Sequence, residues 1–318
     1  MARDPARVVP GMRAITYSQF GSADVLELTE QPDPHPGADV VVVRVRAASV
    51  NPVDWVVRQG YLEGVLDTQF PAIPGWDVAG VVEQVGLDTP ELQVGDEVYG
   101  YVRKDWVHGG TFAELVAAPV RTLARKPASL SFEEAAAVPL AGLTAYQSIL
   151  RSGVREGQTV LVHAAAGGVG SFAVQIARSL GARVIGTASE ANHDFLRGLG
   201  VEPVAYGDGL VERVRALAPQ GVDVALDYAG GDAVAASAQL LAPGGTITSI
   251  TDAAARTEHG GHYVWVRPSS ADLEALGALI DAGKVAVEVG QVFDLADTAD
   301  AHRASETRHG RGKIVVRV

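Results

Sequence analysis

Apolar and polar residues alternate from Met12 to Gln19 and from Val25 to Gln31, and a more continuous apolar run extends from Val40 to Val50. Period-two patterning predicts strands, and the intervening FGSAD and PDPHPGAD stretches carry the glycine, proline and aspartate of turns. Further strands are predicted at VAGVVEQVG, DEVYGYV and TFAELVAAP, each bounded by glycine or proline. One short helix is expected among them, over Asn51 to Gln59. Residues 1–133 thus read as a β-rich, barrel-like unit.

The periodicity changes near Ser131. In SFEEAAAVPLAGLTAYQSILRSG, Ser131 stands three residues before Glu134, the spacing of a capping box, and Pro139 divides the stretch into two helices. Strand and helix then alternate: TVLVHAA with GVGSFAVQIARSLG, RVIGTAS with ANHDFLRGLG, EPVAYG with GLVERVRALAP, VDVALDYAG with DAVAASAQLLAPG, and finally TITSI. Such repeats predict a doubly wound parallel sheet covered on both faces. Beyond it, YVWVRP reads as a strand, SSADLEALGALIDAG and DTADAHRASETR as helices, and KIVVRV as a closing strand that needs the edge of the β-rich unit. The expected architecture is α/β, with the doubly wound domain of residues 134–267 inserted into a domain made of 1–133 and 268–318.

Composition narrows the possible functions. Thirty-eight acidic against 26 basic residues leave a charge of -12, which disfavours nucleic acid or an anionic membrane as partner. No apolar run reaches the roughly 18–20 residues of a membrane span, and MARDPARVVPG lacks the apolar core of a secretion signal, so a cytoplasmic location is expected. With no cysteine, disulfides, thiolate nucleophiles and cysteine-ligated metals are excluded.

The strongest chemical signal is Ala165-Ala166-Gly167-Gly168-Val169-Gly170, which follows a predicted strand and opens a predicted helix. Gly167 would admit a pyrophosphate close to the backbone, Gly170 would let helix pack on strand, and the helix start offers free N–H groups to phosphate. Ala166, Gly168 and Val169 complete this cofactor-binding turn, with alanine at the first glycine position of the usual pattern. NAD-binding chains usually place a carboxylate at the end of the second strand. Here Ala188 and Ser189 stand there, so a 2′-phosphate meets no repulsion and Ser189 and Asn192 are candidate donors. NADPH is therefore the expected cofactor, although Glu190 lies only two residues past the expected carboxylate position.

From Met12 to Val318 the chain resembles the zinc-free quinone oxidoreductase branch, zeta-crystallin-like, of the medium-chain dehydrogenase/reductase superfamily. The resemblance rests on AASVNPVDWVVRQG, PGWDVAGVVEQVG, VGDEVYG, AAVPLAGLTAYQSI, VHAAAGGVG and GRGKIVV, in that order. It implies a Rossmann domain inserted into a GroES-like catalytic domain. Where zinc-dependent members hold their metal with cysteine and a His-Glu pair, this chain has Asn51 and Trp76-Asp77, and a third ligand position falls near Leu140, so no metal site is expected. The resemblance also puts Asn51 and Thr144 at the nicotinamide, and Tyr206 and Arg308 near the adenosine 2′-phosphate. The lysine that often follows the second strand in this family is absent, and His193 stands nearby.

These readings imply metal-independent, NADPH-dependent reduction of a quinone or an α,β-unsaturated carbonyl. Tyr61, Tyr101 and Tyr146 are candidate proton donors, with water as the default. An enoyl-thioester or alkenal reductase and a non-catalytic NADPH-binding relative are the alternatives; a basic patch for a coenzyme A phosphate would favour the thioester, and none is visible along the chain. The pair His259 and His262 lacks a third ligand nearby in sequence, and Asp294, Asp297 and Asp300 read as a solvated helix start. An edge strand at YVWVRP would suit a homodimer.

Overall fold

The computed structural model describes residues 11–307 and 310–318. Six parallel strands form one sheet in the order Glu202–Ala205, Arg183–Ala188, Thr159–Val162, Val222–Asp227, Leu241–Ser249, His262–Tyr263. Numbered along the chain this is 3-2-1-4-5-6, the doubly wound order of dinucleotide-binding sheets, whose crevice opens where the winding reverses. That reversal lies between Thr159–Val162 and Val222–Asp227. Val160, Leu161 and Val162 are all fully buried, as a strand covered on both faces requires.

The second sheet runs Val289–Asp294, Lys313–Arg317, Val40–Val50, Asp77–Gln84, Glu97–Tyr101, Leu123–Arg125, with Leu115–Pro119 also paired to Val40–Val50. Lys313–Arg317 lies antiparallel to Val40–Val50, with Ile314 opposite Val50. The closing strand therefore returns to the β-rich unit and sets Lys313 beside the chain at Asn51. Between the two sheets the capping box forms: Ser131 Oγ accepts the Glu134 N–H at 3.2 Å and Glu134 Oε2 accepts the Ser131 N–H at 2.8 Å. The helix Phe132–Ala136 starts from this box, and Pro139 starts the helix Pro139–Ser152 at a position where a missing N–H costs nothing.

Two elements depart from expectation. Of YVWVRP only Tyr263 is in a ladder, in the two-residue strand His262–Tyr263. The Gln147 side chain replaces a neighbouring strand further on, its Oε1 accepting the Arg267 N–H at 3.0 Å and its Nε2 donating to the Arg267 carbonyl at 2.9 Å. A strand not anticipated, Val289–Asp294, forms the opposite edge of the catalytic sheet. Its residues are mostly exposed, so no period-two apolar signal marks it.

Candidate active site

Asn51 ends the strand Val40–Val50 and stands at the N-cap of the helix Pro52–Arg58, yet its side chain does not cap that helix. Asp54 accepts the Asn51 backbone N–H at 2.7 Å, while the Asn51 carboxamide turns inward. Its Nδ2 donates to Asp77 Oδ2 at 2.8 Å, and its Oδ1 accepts from Lys313 Nζ. A lysine only donates and a carboxylate only accepts, so this pairing fixes which end of the amide faces which neighbour. Lys313 Nζ also reaches the Val50 carbonyl at 3.3 Å. Asn51, Asp54, Asp77 and Lys313 are all buried.

Asp77 is the hub. Its Oδ2 accepts the Ser49 hydroxyl at 2.7 Å as well as Asn51, and its Oδ1 accepts the Leu140 N–H at 2.8 Å. Burial raises the Asp77 carboxyl above the usual carboxylate range, against the Lys313 charge and these donors, which hold it down. Burial likewise pushes Asp54 up to about 7 and depresses the Lys313 ammonium, against the attraction of both carboxylates. The three positions of the zinc ligands thus converge, but as a hydrogen-bond network. Leu140 offers an N–H donor, the Asn51 amide is held at both ends and Asp77 is already accepting three bonds, so this donor set does not fit a zinc ion. Among the described residues, no group of three or more His, Cys, Asp or Glu could hold a metal.

Lys313 also meets the other sheet. A Cβ on Gly168 would come within 3.1 Å of Lys313 Cδ, so the ammonium stem lies against the glycine turn. In that turn a Cβ on Gly170 would fall 2.2 Å from the Ala164 carbonyl oxygen, which explains why helix Gly170–Ser179 can start so close to the strand end. Gly167 N–H bonds back to the Ala164 carbonyl at 2.9 Å, and Val169 occupies the N-cap with no side-chain cap. Ala166 is buried beneath the turn. Ala164 itself has φ 53°, a left-handed conformation unusual for alanine. Local strain of this kind persists where the surrounding structure over-determines it, often at a ligand clamp.

At the far end of the same sheet edge, Ala188 lies opposite Ala205 in parallel register, which sets Ser189 and Tyr206 side by side just past their strands. Asn192 Nδ2 donates to Ser189 Oγ at 3.2 Å. Tyr206 is 65 % exposed and Glu190 is exposed, whereas His193 Nε2 is buried with no hydrogen-bond partner. Arg308 lies outside the described residues.

The remaining candidates separate. Thr144 is buried, and its hydroxyl donates to the Leu140 carbonyl at 2.7 Å. Tyr146, two residues on, points roughly 200° away around the helix, where burial, and after it the Asp272 charge, raises its pKa. Tyr101 is buried against Trp76 with ring centroids 6.1 Å apart, and Tyr61 is 72 % exposed. Gly261, between the loop histidines, is packed so that a Cβ would meet the Ile247 carbonyl at 2.1 Å, a packing reason for the glycine. Asp300 pairs with Arg303 at 2.6 Å on the exposed start of its helix. Lys313 was not singled out from sequence; it opens the closing strand Lys313–Arg317, which ends on a second cation, so nothing local marks it as buried.

Residues 37–128 match the alcohol dehydrogenase GroES-like domain family, and residues 199–316 match the family described as zinc-binding dehydrogenase. An NADPH-dependent alkenal/one oxidoreductase from Arabidopsis thaliana chloroplasts is 35 % identical over 320 residues, covering 98 % of this chain and 81 % of its own. The chain belongs to the medium-chain dehydrogenase/reductase superfamily, in its quinone and alkenal oxidoreductase branch. Among solved members of the superfamily, the Coxiella burnetii quinone oxidoreductase superposes with TM-score 0.86 at 34 % identity, covering 97 % of this chain and 100 % of that one. A mycobacterial member, solved in complex with NADPH, gives TM-score 0.84 at 29 % identity over 96 % of this chain and 100 % of its own. The zinc named in one family description does not suit the residues here, since Asn51, Asp77 and Leu140 occupy the ligand positions in this member of the superfamily.

Proposed function

We propose that the protein reduces quinones or α,β-unsaturated carbonyls with NADPH, by hydride transfer at the Asn51 cluster and without a metal. The observation that carries this reading is the meeting of Lys313 with both the glycine turn and Asn51, which joins a dinucleotide-binding turn to a rigid polar floor. NADPH, when bound, supplies the hydride. The chain's own contribution is alignment: Gly167 to Gly170, with Ala166 beneath, receive the pyrophosphate, and Asn51 and Thr144 face the nicotinamide end. Ser189, Asn192 and Tyr206 receive the adenosine ribose and its 2′-phosphate, with Arg308 as a further candidate. Tyr146 stays a candidate proton donor, but its position away from Thr144 favours water. In this reading the catalytic domain comprises residues 1–133 and 268–318 and the cofactor domain 134–267.

A homodimer pairing through His262–Tyr263 and a cytoplasmic location belong to the same proposal; sedimentation and cell fractionation test them. The place of His262–Tyr263 at the end of the six-stranded sheet supports the first. The central experiment follows NADPH and NADH oxidation in chelator-treated buffer with a small quinone and an aliphatic enone. Turnover that prefers NADPH and ignores chelator is expected. NADPH binding without turnover of either acceptor would replace the catalytic reading by a binding role.

A further inference from the structure

Arg311, just before the closing strand, reaches onto the other sheet's helices. Its guanidinium carbon lies 5.0 Å from the centre of the Phe195 ring, a cation–π distance, and its Nε donates to Glu288 Oε1 at 2.8 Å. Among the described residues neither Nη1 nor Nη2 has an acceptor. Arg311 is half-exposed and Glu288 partly so, which makes their ion pair a weak hold on the side chain. The backbone beneath is fixed by contrast. The Lys313 N–H donates to the Glu288 carbonyl at 2.8 Å, and a Cβ on Gly290 would stand 2.1 Å from the Arg311 carbonyl oxygen. Gln175, buried on the helix Gly170–Ser179, ties the same seam: its Nε2 donates to the Ala286 carbonyl at 3.1 Å and its Oε1 accepts the Ala286 N–H at 2.8 Å. Arg311 is thus a stacked guanidinium on a firm base, with its planar fork of donors still open.

The place of that fork gives it a use. Phe195 follows Asn192 by three residues, a spacing that makes side chains neighbours about 5–6 Å apart at Cβ along a helix. Asn192 is bonded in turn to Ser189, so the guanidinium stands beside the pair assigned above to the adenosine ribose. Other cations around this edge are already committed. Arg197 pairs with Asp194 at 2.6 Å, and Arg213, on the Tyr206 side, donates through Nη1 to the Asp208 carbonyl at 2.7 Å and through Nη2 to the Ala205 carbonyl at 2.9 Å. Glu190 is exposed and adds negative charge. A phosphate monoester, carrying up to about two negative charges, therefore needs a cation here, and among these residues Arg311 has donors to give.

We propose that Arg311 reads the 2′-phosphate of NADPH across the seam between the domains, its guanidinium held flat on Phe195 while the Nη edge meets the phosphate beside Ser189 and Asn192. This rests on the placement of the adenosine ribose at Ser189 and Asn192 given above. Selection between NADPH and NADH then belongs to both domains: the cofactor domain supplies neutral donors and the catalytic domain supplies the charge. NADPH bridges the seam through Arg311, and NADH, which lacks the 2′-phosphate, does not. Glu288 keeps the Nε edge, so the side chain need not leave its stack to bind.

The test titrates the whole protein calorimetrically with adenosine 2′,5′-bisphosphate and with adenosine 5′-monophosphate, which differ only in the phosphate at issue. The native protein is expected to prefer the bisphosphate. Arg311→Gln is expected to cut that preference by about ten- to hundredfold, the loss of one hydrogen bond to a charged group, with 5′-monophosphate bound as before. Arg311→Lys keeps the charge without the fork and should recover part of the preference. Arg308→Gln, made in parallel, separates the two arginines of this segment. A preference that survives Arg311→Gln, or that is lost only in Arg308→Gln, overturns the proposal. Equal weakening of both ligands by Arg311→Gln also overturns it, since Arg311 would then be only a tie between domains. If the native protein binds both ligands equally, the placement of the 2′-phosphate fails and the role of Arg311 with it. Failure to reduce any acceptor would sink the hydride-transfer reading and leave the outcome of this titration standing.

Discussion

The two ends of the groove assigned to the cofactor are built differently. Around Asn51 the polar side chains are buried, and each Asn51 and Asp77 oxygen or amide nitrogen has a partner of fixed hydrogen-bonding sense. Around Ser189 the groups are half-exposed, and the closest bond, Asn192 to Ser189, is a 3.2 Å contact between neutral side chains. A closed network sets one geometry, which suits a reacting end. An open edge offers donors that solvent can replace, which suits graded discrimination between cofactors. The glycine turn connects the two, and its Gly170 is the place where both can be broken together.

Gly170→Ala should have the largest effect. Its Cβ would stand 2.2 Å from the Ala164 carbonyl and 2.8 Å from Ala165 Cα, both backbone neighbours that cannot swing aside. The turn must open, at a cost of about 3 kcal/mol or more, and NADPH binding measured by fluorescence titration should disappear. Retained binding would mean that the groove does not depend on this close approach.

Lys313→Met tests the closed end alone. Loss of the ammonium leaves Asp54 and Asp77 without their buried counter-charge, at roughly 3–5 kcal/mol of stability. The freed Asn51 amide should lower kcat on the order of 100-fold, with a smaller change in NADPH affinity. The double variant Lys313→Met/Asp77→Asn separates charge from positioning. Removing both charges should restore much of the melting temperature, but the amide could still turn over, so kcat should stay low. Recovery of kcat in the double variant would reduce Lys313 to charge balance.

Much of this was legible in sequence where a signal is local. The capping box of Ser131 and Glu134, the helix break at Pro139 and the glycine turn all depend on neighbours within a few residues. Lys313 was not legible, because its partners Asn51 and Val50 lie more than 260 residues away and meet it only when the closing strand pairs with Val40–Val50. YVWVRP failed in the opposite way, since its local strand signal was overridden by the Gln147 side chain. Arg308, named from resemblance, lies outside the described residues.

A pH measurement sharpens the contrast by asking what burial alone does to a polar group far from the cofactor. His302 is fully buried between Arg58, which contacts its Nδ1 at 3.1 Å, and the Phe112 ring, with Glu306 on the far side of the guanidinium. Burial, helped by the Arg58 charge, lowers its pKa from 6.5 to about 3. The folded state therefore keeps it neutral while the unfolded chain takes up a proton below 6.5. Its contribution to stability is complete above that pH and is lost as pH falls toward 3. Asp54, raised to about 7 by burial, has the opposite sign: it stabilises at low pH and loses that contribution as pH rises from 3.8 through 7. Between pH 4 and 6, His302→Asn should lower the slope of unfolding free energy against pH by up to about 1.4 kcal/mol per pH unit, and Asp54→Asn should raise it. Urea titrations at several pH values read both slopes, and parallel curves would show that neither burial shifts a proton equilibrium.

The smallest effect is expected at the open end. Ser189→Ala/Asn192→Ala removes two neutral donors from a half-exposed edge, where each hydrogen bond to a charged phosphate contributes about 1.5–3 kcal/mol and solvent recovers part of it. The ratio of kcat/KM for NADPH over NADH should fall by about ten- to thirtyfold, with kcat at saturating NADPH unchanged. Since the chain has no lysine after the second strand and Glu190 stands exposed beside these residues, Glu190→Lys in the native background should move the same ratio upward. If the double alanine variant leaves the ratio untouched, the 2′-phosphate is read elsewhere along the edge, with Tyr206 the first residue to replace. If it lowers kcat instead, the open end is coupled to the Asn51 network and the two regions are not independent.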